Sequence, residues 1–384
     1  MRNLIIYLFP MSFDIVVALT MFVGRHSFAE RGAKVAAIGS IAAVYGLVYI
    51  PSSFLMGKIV TQKRAKGLMM TAIVIMVCLL CLLANIKDYY LFLAIFAGIP
   101  FGTSLFFNSF QAYMLDIDSN TGKPLSHSVG HYTFAWSTGF ALGPVVSFFA
   151  EKYFNWAAAY YMAAFIVFII GIIAFLFKPV KSEKGIEQQK EIKNSKELTD
   201  KALPLAGWLG LVISISTYQI ILTYWPLQAI LLDFSSLIKS GVEFSMSICQ
   251  AISALIICLF LRWYHKPSSL LFFGLIGFLG LIAFAYADSL PLFFTGACLF
   301  GIYLSSSFIF LVYHAMFDKE KAVKRVSINE IMVGVGILAG PVIATSLLTA
   351  TENNFKNAYF CGIAIFAIAI IIQTTVAFKE NSRA

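Results

Sequence analysis

Apolar stretches long enough to cross a lipid bilayer recur twelve times along this chain, separated by short polar loops. They cover roughly 4–24, 35–56, 68–86, 89–115, 127–149, 156–178, 204–231, 243–262, 268–287, 289–316, 327–349 and 356–378. A bilayer core takes about 20 residues of helix, and backbone groups in lipid must bond within their own segment or a closed barrel. Runs of this length predict helices. With 60% hydrophobic and 12% charged residues and a mean hydropathy of +0.84, there is too much apolar surface for one water-soluble core. A soluble domain runs near about 45–50% apolar and about 25% charged. The expected fold class is an all-α polytopic membrane protein.

The first run, from Leu4 to about Gly24, is followed by Arg25, His26, Glu30, Arg31 and Lys34 and by no small-residue cleavage site. It predicts a retained helix rather than a signal peptide. Cys78, Cys81, Cys249, Cys258, Cys298 and Cys361 all lie in apolar runs. Cys78 and Cys81 have metal-ligand spacing, but nothing around them supplies a further ligand, so neither a metal site nor a disulfide framework is expected.

The formal charge of +9 suggests nucleic acid only until its placement is considered. The basic residues occupy short loops between spans, as topology signals do. Of the 28 Lys and Arg residues, 21 fall on the side that carries the N-terminus, the even-to-odd loops, a central polar stretch and the C-terminus. The positive-inside rule then predicts cytoplasmic termini and the cytoplasmic membrane as location. The central stretch, KPVKSEKGIEQQKEIKNSKELTDK, reads as a solvated linker between six spans and six.

The halves resemble each other. PFGTSLFF (Pro100–Phe107) parallels LFGIYLSS (Leu299–Ser306) at an offset of 199. GFALGPV (Gly139–Val145) parallels GILAGPV (Gly336–Val342) at 197, and AYYM (Ala159–Met162) parallels AYFC (Ala358–Cys361) at 199. Ordered matches at near-constant offset point to a duplicated six-helix unit, as in secondary transporters with parallel repeats. The expected division is an N-terminal bundle at 1–178, a cytoplasmic linker at 179–203 and a C-terminal bundle at 204–384.

This organisation resembles the major facilitator superfamily across essentially the whole chain. The antiporter motif of that superfamily runs Gly, eight residues, Gly, three residues, Gly-Pro, two residues, Gly-Gly. Gly130, Gly139, Gly143 and Pro144 stand at those spacings in span five, while Ser147 and Phe148 replace the final pair. The family's loop between spans two and three is matched at Gly57 and Lys66 but not at Thr61 or Arg64. The membrane-embedded arginine of many proton-coupled members is missing, since Leu91 to Leu115 contains no charge. The resemblance implies two pseudo-symmetric six-helix bundles and transport by alternating access.

The residues themselves nominate sites. Gly139 and Gly143, like Gly336 and Gly340, lie four apart on one helix face and suit close helix contact in lipid. A sliding contact between the two halves, bent near Pro144 and Pro341, is the expected role. Gly143→Leu is then expected to abolish transport while leaving insertion intact. Asp14 lies ten residues into span one, with no other carboxylate as near a span's middle. Ionisable groups at that depth cost on the order of 3 kcal/mol and usually act in function, so Asp14 is expected to be a protonation site or a substrate counter-charge.

Tyr45, Asn108, Trp136, Tyr218, Gln219, Gln250 and Tyr303 are candidates for the lining of a solute site. Tyr49, Tyr224 and Ser305 are further polar groups at mid-depth, and His131 and His314 are further titratable ones. Asp116, Asp118 and Asp318 share a side with Lys63, Arg64, Lys66, Arg262 and Lys324, and an ion-pair gate is expected there.

The expected function is secondary active transport of a small organic solute, leaning to proton-coupled export. Uptake of a sugar, organic acid or other nutrient is the alternative, and a non-transporting receptor or scaffold on the same fold comes third. No cofactor is expected beyond a transmembrane proton or ion gradient. The partners are the solute and the lipid bilayer, not nucleic acid, and the protein is expected to work as a monomer. No nucleophile elbow, phosphate-binding glycine loop or metal-binding His/Glu helix is present, so no enzyme is expected.

Overall fold

The computed structural model describes residues 2–118, 125–177, 203–259, 266–316 and 322–383. Among them are twelve helices long and apolar enough to cross a membrane. These are Ile5–Glu30, Val35–Ile59, Gln62–Leu83, Tyr89–Met114, Ser128–Tyr153, Trp156–Leu176, Pro204–Leu231, Ser236–Ile257, Ser268–Ala285, Leu290–Ala315, Lys324–Ala350 and Phe355–Ser382, spans one to twelve below. No strand occurs among the described residues. The end of the bundle carrying Arg31 is called distal, and that carrying Thr61 proximal.

Several helices run past the expected ends. Span one continues to Glu30 and takes in Arg25 and His26, while span eight begins at Ser236, seven residues before Glu243. Hydropathy ends a span at its first charge. Here those charges are buried and paired with one another, so the helices continue.

Span four is interrupted at Ala97, between Tyr89–Phe96 and Gly98–Asp118. Pro100 lacks the N–H that the carbonyl four residues earlier, on Phe96, would receive. Pro144 and Pro341 have the same deficiency, yet helices Leu125–Tyr153 and Ala322–Ala350 run through them without a break.

The packing is layered and repeats in each half. Spans three, six, nine and twelve are outermost. Their lipid-facing residues include Val74, Phe165, Phe168, Phe175, Phe272, Leu275, Ile368 and Ile371. In span seven 72% of the apolar window is buried, against 33% in spans three and twelve, which places span seven centrally. Span one packs on span five, and span seven on span eleven in the same way. The halves meet where span two packs on eleven and span five on eight.

The turns also repeat. After span one, Gly32 N–H donates to Ala29 O and Ala33 N–H to Phe28 O. After span seven, Asp233 donates to Ile230 O and Phe234 to Ala229 O. Both caps use a left-handed residue, Gly32 at φ 78° and Asp233 at φ 53°, as a Schellman ending requires.

Hydrophobic burial cannot drive helix association inside lipid, so close packing of small residues takes on that role. The glycines divide it between two kinds of contact. Gly139 sits on Met11 O and the Asp14 Cβ, and Gly143 on Ala18 and Leu19, all in span one. Gly336 and Gly340 meet Ile215, Ser216 and Gln219 of span seven. Contrary to expectation, these pairs seal each half internally instead of joining the halves.

Other glycines make the contact between halves. Gly130 faces Cys258 of span eight, Gly46 faces Gly334 and Leu338 of span eleven, and Gly57 faces Ser327. The reason is rotational. At 100° per residue, Gly130 is half a turn away from Gly139, so the same helix offers one small face to its own half and another to the partner half.

Candidate functional site

A cavity lies between the halves, bordered by Val17, Ala18, Met21 and Arg25 of span one, Tyr45 of span two and Phe140 and Pro144 of span five. Tyr218, Gln219 and Leu222 of span seven, Glu243 of span eight and Ile337 of span eleven complete it. The space open to water centres is about 40 Å³, enough for a few waters at about 10–15 Å³ each. Span one supplies a continuous stripe, because residues 14, 17, 18, 21 and 25 share one helical face. Asp14 closes this stripe on the proximal side and Arg25 on the distal side, about 16 Å apart along the axis.

The distal end of the cavity is closed by charge. Arg25 Nη2 donates to Glu243 Oε2 at 3.3 Å, and His26 Nε2 lies 3.3 Å from Glu243 Oε1. Arg25 also donates from Nε to Met21 O at 3.2 Å, and the Phe22 ring stacks on His26 at 4.0 Å. Nearer the surface, Lys239 pairs with Glu30 at 3.2 Å and Ser236 donates to Glu151 at 3.2 Å. Arg25, His26, Glu30 and Glu151 belong to the first half, and Ser236, Lys239 and Glu243 to the second.

The proximal end is closed by a second network across the halves, built on Glu330 of span eleven. Tyr49 of span two donates its hydroxyl to Glu330 Oε2, and Gln111 of span four donates to Oε1 at 2.6 Å. One turn away, Ser327 donates to Asn108 Oδ1 at 3.3 Å. Asp14 is 3% exposed and within the electrostatic reach of Glu330. Among the described residues it has no ion-pair partner.

Three of the expected lining residues, Tyr45, Tyr218 and Gln219, meet at the cavity. Asn108 belongs to the proximal network. Trp136 packs edge-on against Phe308 of span ten at 4.6 Å, a contact between halves. Tyr303 is turned away, packed under Gly277 of span nine and against Phe366 of span twelve. Gln250 is buried in span eight, its Nε2 without a partner among the described residues, but does not border the cavity. Tyr224 donates to Ala344 O at 3.1 Å, tying span seven to eleven. His131 lies beside the Tyr7 ring, and His314 is buried against Phe310.

The expected proximal charge gate is described only in part. Lys66 donates to the carbonyls of Phe175 and Phe177 at the end of span six, within its own half, where a cation complements the helix C-terminus. Lys63 and Arg64 are exposed. Asp318 and Arg262, and the side chains of Asp116 and Asp118, lie outside the described residues, as does residue range 179–202 of the expected linker.

Glu243, Arg25 and Glu330 were not among the expected site residues. In the sequence Arg25 falls just past the first run, Glu243 is the first residue of the eighth and Glu330 lies three residues inside the eleventh, all near run ends where a charge does not read as part of a site. The signal that finds them is helical register: Arg25 continues the face of residues 14, 18 and 21.

The family model described as Major Facilitator Superfamily matches residues 4–316. The chain belongs to the major facilitator superfamily. It is a multi-pass membrane transporter of that superfamily. No curated relative matches the chain. In this member of the superfamily Pro144 borders the cavity from span five and Gly143 lies against Ala18 of its lining, whereas Gly139 lies against Met11 and Asp14 and Gly130 toward the proximal end against Cys258. Pro144 and Pro341 each leave a carbonyl one turn earlier, on Phe140 and Ile337, without a helical donor. Phe140, Pro144 and Ile337 all border the cavity.

Proposed function

We propose that this protein moves a small organic solute across the cytoplasmic membrane by alternating access, exporting it in exchange for protons. The observation that carries the proposal is the pair Asp14 and Glu330. Both are buried, the charge of Glu330 acts on Asp14, and no described cation pairs with either. Like charges without a counter-charge are costly inside a membrane. A bound proton or a cationic partner removes that cost, and its arrival or departure changes the grip of Glu330 on Tyr49 and Gln111. Titration is thereby linked to the closure of the proximal end. The cavity on the other side of Asp14 takes the solute.

Uptake by symport is the second reading. It draws on Tyr218 and Gln219, which supply the cavity with the hydrogen-bonding groups a polar nutrient needs. In proteoliposomes with an imposed pH gradient, export predicts that solute moves against the proton flow, and uptake that it moves with it. Asp14→Asn is expected to abolish the response to the gradient while leaving solute binding intact. Gradient-driven flux at the unaltered rate in that variant would reject the role of Asp14.

A further inference from the structure

Two residues that border the cavity each keep one buried polar atom without a hydrogen-bond partner among the described residues. Arg25 borders it with a side chain 3% exposed, and Nε and Nη2 are engaged by Met21 O and Glu243. Its third nitrogen, Nη1, is buried and has no hydrogen-bond partner among the described residues. Gln219 is 5% exposed on the same cavity, and its Oε1 has no donor among the described residues. Glu243 is different: Oε2 takes Arg25 and Oε1 faces His26. An organic cation entering here meets a carboxylate that already serves two partners, and Asp14 does not border the space. An oxyanion meets an idle guanidinium N–H, the planar donor best matched to a carboxylate.

We infer that the solute is a small organic acid. Its carboxylate sits against Arg25 Nη1, a hydroxyl or N–H group donates to Gln219 Oε1, and an apolar body lies among Phe140, Leu222 and Ile337. The inference rests on the transporter reading and narrows its substrate class. It also has a mechanical side. The carboxylate competes with Glu243 for one guanidinium, so the acid that fills the cavity loosens the charge closure above it. A ligand shifts a conformational equilibrium only through contacts that differ between the states, and Arg25 supplies such a contact.

The test is a thermal-stabilisation titration of the purified full chain with short matched acids, amides and amines, for example 3-hydroxybutyrate, its amide and 4-amino-2-butanol. Stabilisation is expected from acids, weakened roughly tenfold or more in Arg25→Gln. Glu243→Gln frees the guanidinium and is expected to bind acids more tightly than the parent, a gain that mere structural damage does not produce. Gln219→Leu is expected to erase the preference for 3-hydroxybutyrate over butyrate. Stabilisation by amines or amides but not acids overturns the inference and leaves the transporter reading standing, as does acid binding indifferent to both Arg25→Gln and Glu243→Gln. If no acid, amide or amine binds, the inference fails together with solute binding at this cavity.

Discussion

Gly46 of span two lies so close to span eleven that a Cβ added there would sit 2.6 Å from the backbone nitrogen of Leu338. The contact is backbone against backbone and joins the two halves at mid-depth. Gly46→Ala is therefore expected to leave each half intact and to disfavour this closed arrangement. Overpacking of this kind costs about 1–3 kcal/mol, a shift of roughly tenfold in the balance of conformers. Alkylation of a cysteine placed at Ile337 should accelerate correspondingly in the Gly46→Ala background. Unchanged alkylation would mean that spans two and eleven yield locally.

Gly143 makes the opposite case. Its added Cβ would meet the Ala18 Cβ at 2.6 Å and the Leu19 nitrogen at 2.7 Å, inside one half. Gly143→Leu is expected to separate span one from span five and to lower the yield of monodisperse, heat-stable protein. The sequence-based expectation that this variant inserts normally and only fails to transport is thereby replaced. Size-exclusion profiles and melting curves compared with those of Gly46→Ala distinguish the two kinds of glycine.

The distal ion pairs should rank by exposure. Glu243 is 4% exposed and faces Arg25 at 3%, whereas Glu30 is 31% exposed opposite Lys239. Removing Glu243 leaves the buried Arg25 uncompensated, at a cost of about 3–5 kcal/mol. Removing Lys239 breaks a partly solvated pair of about 0–1 kcal/mol. Melting temperatures of Glu243→Ala and Lys239→Ala should show the first far below the second, and raised salt should narrow only the second difference. Equal effects would contradict the assignment of Glu243 as the centre of the closure.

Tyr49→Phe removes one of the two hydrogen bonds that Glu330 accepts from side chains among the described residues. Bonds to charged groups contribute about 1.5–3 kcal/mol, so the proximal end should open more often. Ser327→Cys, buried one turn from Glu330, reports this directly. Its reaction with a water-soluble maleimide is expected to quicken by roughly tenfold or more in the Tyr49→Phe background, and an unaltered rate would count against the network as a closure.

Much of the architecture was legible because lipid imposes a length and an apolar character on each span. The twelve runs follow from that. What escaped was direction around the helix axis and across the membrane plane. Gly139 and Gly143 announce a close contact, yet nothing in their spacing says whether span one or the other half receives it. Arg25 and Glu243 read as loop charges because a linear scan cannot see that each neutralises the other from a distant part of the chain. Tyr303 resembles any mid-depth polar residue until Gly277 and Phe366 are known to enclose it.

The two closures are separate bodies of interaction: Arg25, His26 and Glu243 at one end, Tyr49, Gln111 and Glu330 at the other. A continuous leak requires both to be broken in the same molecule at the same moment. Its frequency is then the product of two small probabilities, and weakening either closure alone leaves the other to insulate the membrane. Tightness against leakage is therefore shared between two ends that have no side chain in common.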